Sequence, residues 1–101
     1  VSRGINRVIL SGNVVGDRAE FSPTGNGTQA FSFKVASDRP AGEERTLTAF
    51  VRVNVYADSL VRTCKDRIKK GAYVIVEGEL MNRDGQHGEL TEVRAKDLIF
   101  P

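Results

Sequence analysis

Phe50, Arg52, Asn54 and Tyr56 stand at alternate positions and combine two aromatic rings with a guanidinium and a carboxamide. Rings stack on flat π-faces, a guanidinium reaches a phosphate or lies flat on a base, and a carboxamide donates and accepts hydrogen bonds. Each ring stacked on an unpaired base contributes about 1 to 3 kcal/mol, whatever the base. Six residues of extended strand separate the rings by about 20 Å, room for a few nucleotides. Such a row offers binding, not bond making. Its plainer reading is a pair of outward aromatics covered by a loop, a helix or another subunit.

Other candidates for chemistry are poorer. The chain has one cysteine and one histidine, too few for a disulfide or a closed structural zinc site. Cys64 falls on the apolar stripe of a helical segment, where a free cysteine acts as a small buried hydrophobe. His87, between Gln86 and Gly88 in a turn, reads as a solvated residue or a phosphate contact. Glu77 and Glu79 share a strand face, where they limit edge pairing or bind basic groups. The TGNGT stretch lacks the lysine and following helix of a phosphate-cradling loop. No enzymatic reaction, cofactor or metal is expected.

The elements that position the row follow from periodicity. Leu47, Ala49, Val51, Val53 and Val55 alternate against it, so Thr46 to Tyr56 reads as a strand whose core face is that apolar set. Upstream, Ile5 to Val15 reads as a long strand with a bend or bulge at Gly12, and FSPTGNGT, from Phe21, as a connection. In a second strand, Thr28 to Ser37, Phe31, Phe33 and Val35 lie on one side and Ala30, Ser32, Lys34 and Ala36 on the other. DRPAGEER, Asp38 to Arg45, reads as a polar loop. Leu60, Val61, Cys64 and Ile68 then recur at helical spacing, with Gly71 as the expected C-cap. Alternation returns in Ala72 to Met81 and from Glu89 to about Phe100, joined by DGQHG as a hairpin turn.

The order β-β-β-α-β-β, five strands and one short helix in 101 residues, is the layout of an OB-fold, a Greek-key barrel, here in one domain spanning 1–101. An up-and-down or SH3-like barrel would not require that helix. The central strands of this fold form its usual ligand face, flanked by loops in the positions of DRPAGEER and DGQHG. Fifteen basic and thirteen acidic residues leave a net charge of +2, so any electrostatic site is local. CKDRIKKG, the nearest approach to a charge run, reads as a solvated helix face whose basic end suits the helix dipole. No apolar run approaches the roughly 20 residues of a membrane span, and VSRGINRVIL lacks the zones of a signal peptide. An intracellular protein with no membrane partner is expected.

SRGINRVILSGNVVGD at the start, KKGAYVIVEGEL and the closing TEV resemble the bacterial and mitochondrial type of single-stranded DNA-binding protein. The resemblance covers nearly the whole chain, with its most specific motifs at both ends. It implies an OB-fold that wraps single-stranded DNA without strong sequence preference, RNA remaining an alternative ligand, and serves replication, recombination and repair. It implies a homo-oligomer, a tetramer in preference to a dimer, replication or repair proteins as partners, and a location with DNA in the cytoplasmic nucleoid or an organelle matrix. Phe50 and Tyr56 match stacking positions, Arg52 matches an arginine two residues after the first, and Arg3, Arg7, Lys69, Lys70 and Arg83 match basic positions near the strand path. With Lys34 and Asn54 these make up the expected nucleic-acid site.

The chain departs from that pattern in several places. It has no tryptophan, Pro40 stands near one usual ring position, and the hairpin that carries another is the short NRDGQHGEL. Val51 replaces a common interface histidine and Asp58 a lysine, and Pro101 ends the sequence where relatives continue into a flexible tail with an acidic tip. These features also resemble a shorter relative, the primosomal replication protein B type, a dimeric OB-fold that acts in replication restart. A competing reading is an OB domain whose apolar outer face docks another polypeptide.

Overall fold

The computed structural model describes residues 3–21, 29–85 and 88–101. Five strands, β1 (Val8–Phe21), β2 (Ala30–Pro40), β3 (Thr46–Val55), β4 (Tyr73–Gly85) and β5 (Gly88–Ile99), close into a barrel in the order β1-β2-β3-β5-β4. The helix α1 (Asp58–Arg67) lies between β3 and β4 in sequence. This is the expected OB-fold. All strand pairs are antiparallel except β3 with β5, which run parallel through Val53 opposite Val93 and Asn54 opposite Arg94.

Alternation decides what fills the barrel. Phe31, Phe33 and Val35 of β2 stand opposite Val55, Val53 and Val51 of β3, and all but the half-buried Val51 are buried. Val14, Val74, Val76 and Val93, with Ala95 and Leu98, complete the strand interior, and β-branched side chains suit these half-buried pleated strands. Val61 and Cys64 of α1, with Ile68 just beyond it, pack against the same core at helical spacing. Asp58 in the first turn of α1, and Lys65 and Arg67 in its last, suit the helix dipole.

Several boundaries differ from the sequence reading, each for a tertiary reason. Leu47 and Ala49 carry the inward parity of β3 but are exposed, because β2 and β3 continue as a paired arm beyond the end of the core. The expected loop DRPAGEER therefore shrinks to Ala41–Arg45, between Pro40 and Thr46 at the tip. Helix α1 ends at Ile68, whose backbone N–H donates to the Cys64 carbonyl, so Gly71 is not its C-cap. Gly71 takes φ 91° in the turn to β4, where its N–H donates to Val14. The connection expected at 22–28 and the Gln86–His87 part of the DGQHG turn lie outside the described residues.

Gly12 is a close approach, not the bulge: a methyl group there would run into the carbonyl oxygen of Ala36 and the side chain of Val35. Strand β1 trades partners at this point, pairing with β4 up to Asn13 and with β2 from Asn13 onward. The β1–β2 register slips further along, between Val15 and Ala19, where Gly16 has φ 68°. Gly78 plays a matching part on β4, since an added methyl would meet the Arg94 carbonyl beside the bulge that leaves Lys96 unpaired between Ala95 and Asp97. Gly12→Ala and Gly78→Ala should each lower stability by about 1 to 3 kcal/mol or more, because the obstruction is backbone. Gly4→Ala, which meets nothing, should be neutral. Urea denaturation checks this, and equal midpoints for all three variants would contradict the close approach.

Candidate nucleic-acid interface

The even-numbered residues of β3 face away from the core and meet their neighbours row by row. Phe50 stands opposite Ala36, Arg52 opposite Lys34, and Asn54 between Ser32 on β2 and Arg94 on β5. Across β5 the rows continue into β4, with Arg94 opposite Glu79, Glu92 opposite Met81 and Leu90 opposite Arg83. The outer faces of β2, β3, β5 and β4 thus form one continuous surface. Lys34, Arg52, Arg83 and Arg94 are brought together on it.

The two rings of the row differ. Phe50 is 66% exposed, an open platform at the root of the β2–β3 arm. Tyr56, one residue past β3, is half-buried: Phe21 meets its ring edge-on with centroids 6.0 Å apart, and the Arg94 guanidinium lies 5.1 Å from its centroid. Its hydroxyl donates to the Met81 sulfur at 3.7 Å. Burial raises the Tyr56 hydroxyl above its ordinary pKa, with Arg94 pulling the other way. Of the two outward rings, Phe50 is therefore uncovered, whereas Tyr56 is already packed beside Phe21 and under the Arg94 guanidinium.

Between them sits a carboxylate that sequence reasoning missed. Glu92 is only 3% exposed. Its Oε1 accepts from the Asn54 carboxamide at 2.7 Å, and its Oε2 accepts from Arg83 at 3.0 Å and lies 3.6 Å from Arg52 Nε. Arg52 also donates to the Ser32 hydroxyl at 3.3 Å. Asn54, expected to offer adaptable contacts to a ligand, is instead 3% exposed and committed to Glu92 and the Met81 sulfur. A buried carboxylate needs such partners, since an unpaired one costs several kcal/mol. The available signal was parity: with Val93 and Ala95 inward, Glu92 and Arg94 must point outward. What parity lacks is the knowledge that β5 lies beside β3.

The remaining basic residues fall elsewhere. Lys69 and Lys70 are exposed in the turn after α1 and, with Gly16, Asp17 and Arg18, line an open depression beside the β1 slip. Arg18 donates to the Ile68 carbonyl at 2.6 Å. Arg7 pairs with Glu77 at 3.5 Å on the β1–β4 side. The segment that carries Arg7 and the exposed Arg3 is held by Asn6, whose carboxamide exchanges two hydrogen bonds with the Leu80 backbone at 2.8 and 2.9 Å. Glu79 meets Lys96 at 3.5 Å. Glu77 and Glu79 therefore bind basic groups, and edge protection has no place here because β4 is paired on both sides.

Residues 5–100 match the model of the single-strand binding protein family. The chain belongs to that family. It is 34% identical to the single-stranded DNA-binding protein of Rhizobium meliloti over 81% of this chain and 49% of that protein. It is 28% identical to single-stranded DNA-binding protein 2 of Chlorobaculum tepidum over 95% of this chain and 70% of that one, and 32% identical to the Rickettsia felis protein over 88% and 64%. The chain thus spans about half the length of the first relative and about two thirds of the others. Among solved structures, the Plasmodium falciparum SSB complex with ssDNA superposes with a TM-score of 0.84 over 100% of this chain and 98% of that one. Sequence identity there is 23%, so that likeness shows the shared barrel. No helix among the described residues is long and apolar enough to cross a membrane.

Cys64, the chain's one thiol, is fully buried, and burial pushes it up from 9.0 to about 12. That is the opposite of nucleophile activation. As pH rises, the unfolded thiol loses its proton first, so the stability it contributes is complete below about pH 9 and drains away toward about 12. Cys64→Ala should be less stable at neutral pH yet lose stability more gradually with alkalinity. Urea denaturation across the alkaline range checks this, and parallel pH profiles would show that the thiol ionises alike in both states.

Proposed function

We propose that this chain binds single-stranded DNA, largely without regard to sequence and without catalysing a reaction, as one OB-fold domain acting in replication, recombination and repair. The observation that carries this reading is the exposed Phe50 ring beside Arg52 on the outer barrel face, in a chain of the single-strand binding protein family. Relatives named for single-stranded DNA binding support the choice of ligand. Phe50 supplies a stacking platform, Tyr56 with Arg94 a second, and exposed cations such as Lys69 and Lys70 supply phosphate neutralisation. The setting is wherever the genome is replicated, the nucleoid or an organelle matrix.

A second copy of this chain is the expected partner, in a tetramer before a dimer. The outer face of β1, β4 and β5 exposes Ile9, Tyr73 and Ile99 around the half-buried Ile75. Side chains of that size clustered on one sheet face favour burial against a like surface. Replication or repair proteins are further partners on this reading.

Phe50→Ala should weaken oligo(dT) binding by about 1 to 3 kcal/mol, and Tyr56→Ala by a similar amount, in folded protein. Lys69→Ala with Lys70→Ala should flatten the dependence of log affinity on log salt by about 0.7 for each phosphate no longer neutralised. Fluorescence titration with matched dT and U oligomers at several salt concentrations reads both effects and the DNA preference. Wild-type affinity in both ring variants would refute the stacking site, and salt-insensitive binding would favour an apolar protein ligand. Ile9→Lys combined with Ile99→Lys should move the sedimentation coefficient toward that of a single chain. Unchanged sedimentation would place the interface on another face.

A further inference from the structure

The buried carboxylate in the middle of a surface proposed to attract polyanions calls for a reason. A carboxylate there repels phosphate, and its position between Arg52 and Arg83 cancels one of their two charges. Its geometry offers a different service. Arg52 rises from β3, and its guanidinium is anchored on both sides: Nε toward Glu92 on β5 at 3.6 Å, and a terminal nitrogen to Ser32 on β2 at 3.3 Å. One contact is an ion pair and the other a hydrogen bond, and together they tie the guanidinium to both flanking strands and limit its freedom to turn. Arg83, from β4, is tied to the same Glu92 oxygen at 3.0 Å. The Arg52 and Arg83 side chains remain 39% and 52% exposed, while that of Glu92 is 4%.

We propose that Glu92 is a positioning residue that converts Arg52 and Arg83 from phosphate-neutralising charges into fixed planar platforms for nucleobases. The exposed guanidinium planes take up the stacking that a chain without tryptophan lacks. The Arg94 guanidinium, 5.1 Å from the centroid of the Tyr56 ring, continues the same surface. Asn54, held by Glu92 from below, keeps the carboxylate aimed and is a part of the support, not of the contact. Affinity on this face then comes from base stacking, and the salt dependence of binding from cations elsewhere, the exposed Lys69 and Lys70 among them. This inference rests on the proposed single-strand binding.

Arg52→Lys separates the two roles, because it retains the charge and removes the plane. Titration with oligo(dT) should show binding weakened roughly tenfold, the scale of one missing stack. A strand of the same length made of abasic deoxyribose phosphates has the charge and no bases, and should bind wild type and Arg52→Lys equally. Glu92→Gln, compared after its fold and melting are checked, should release a cation and steepen the salt slope on oligo(dT) by about 0.7. Wild-type affinity of Arg52→Lys for oligo(dT), or an equal loss on the abasic strand, would overturn the proposal, as would an unaltered salt slope in folded Glu92→Gln. Should Glu92→Gln fail to fold, the Arg52→Lys pair of titrations decides alone. A wild-type protein that binds neither strand would instead refute the single-strand reading, an outcome distinct from all of these.

Discussion

The parallel pairing of β3 with β5 is short, Val53 with Val93 and Asn54 with Arg94, yet the remaining architecture turns on it. Without it β3 and β5 would be the two free edges of an open sheet. With it the sheet has an inside and an outside, and residue parity acquires meaning. Val53 and Val93 go to the core with Phe33, Val35 and Val76, while Arg52, Asn54, Glu92 and Arg94 are pressed together on the outer surface. The core and the candidate site are two faces of the same pairing. It also explains why a strand pattern as plain as alternating valine and polar residues carries a surface rich in chemistry.

Glu92 shows what that outer surface demands. Removing a carboxylate from water is unfavourable unless its lone pairs are occupied by good donors, and charged donors are the strongest. Asn54, Arg83 and Arg52 come from two neighbouring strands to meet it. The arrangement also relieves Lys34 and Arg52, like charges directly opposite on β2 and β3, which would otherwise repel. The surface is therefore organised from beneath, with its cations oriented before any ligand arrives. Preorganisation of this kind lowers the ordering cost of binding.

Distribution matters as much as identity. The basic residues singled out in the sequence do not form one trough: Lys34, Arg52 and Arg83 share the β2-β3-β5-β4 surface, Lys69 and Lys70 border the β1 slip, and Arg7 faces Glu77 across β1 and β4. A strand tens of ångströms long touches several such places, whereas a small ligand touches one. That suits an extended polyanion bound by many modest contacts. The exposed isoleucines on the β1-β4-β5 face stand apart from all three basic groups in character, apolar where the others are charged.

How much was legible in the sequence depends on the range of the interaction concerned. Alternation is set by local backbone geometry, so the sequence by itself determined five strands, one helix, the inward and outward sets of β3 and the outward direction of Phe50. It could not show that Leu47 and Ala49 lie on an arm beyond the core, because parity tells which side a residue faces and not how far the barrel reaches. Gly12 likewise looks like a bend until the Ala36 carbonyl is found against it. Glu92, the cover over Tyr56 and the burial of Asn54 arise from β5 lying beside β3, a contact between segments about forty residues apart that no local pattern encodes. Only the tertiary structure decided those, since hydrogen bonding between strands is indifferent to sequence distance and is settled by the closure of the whole sheet.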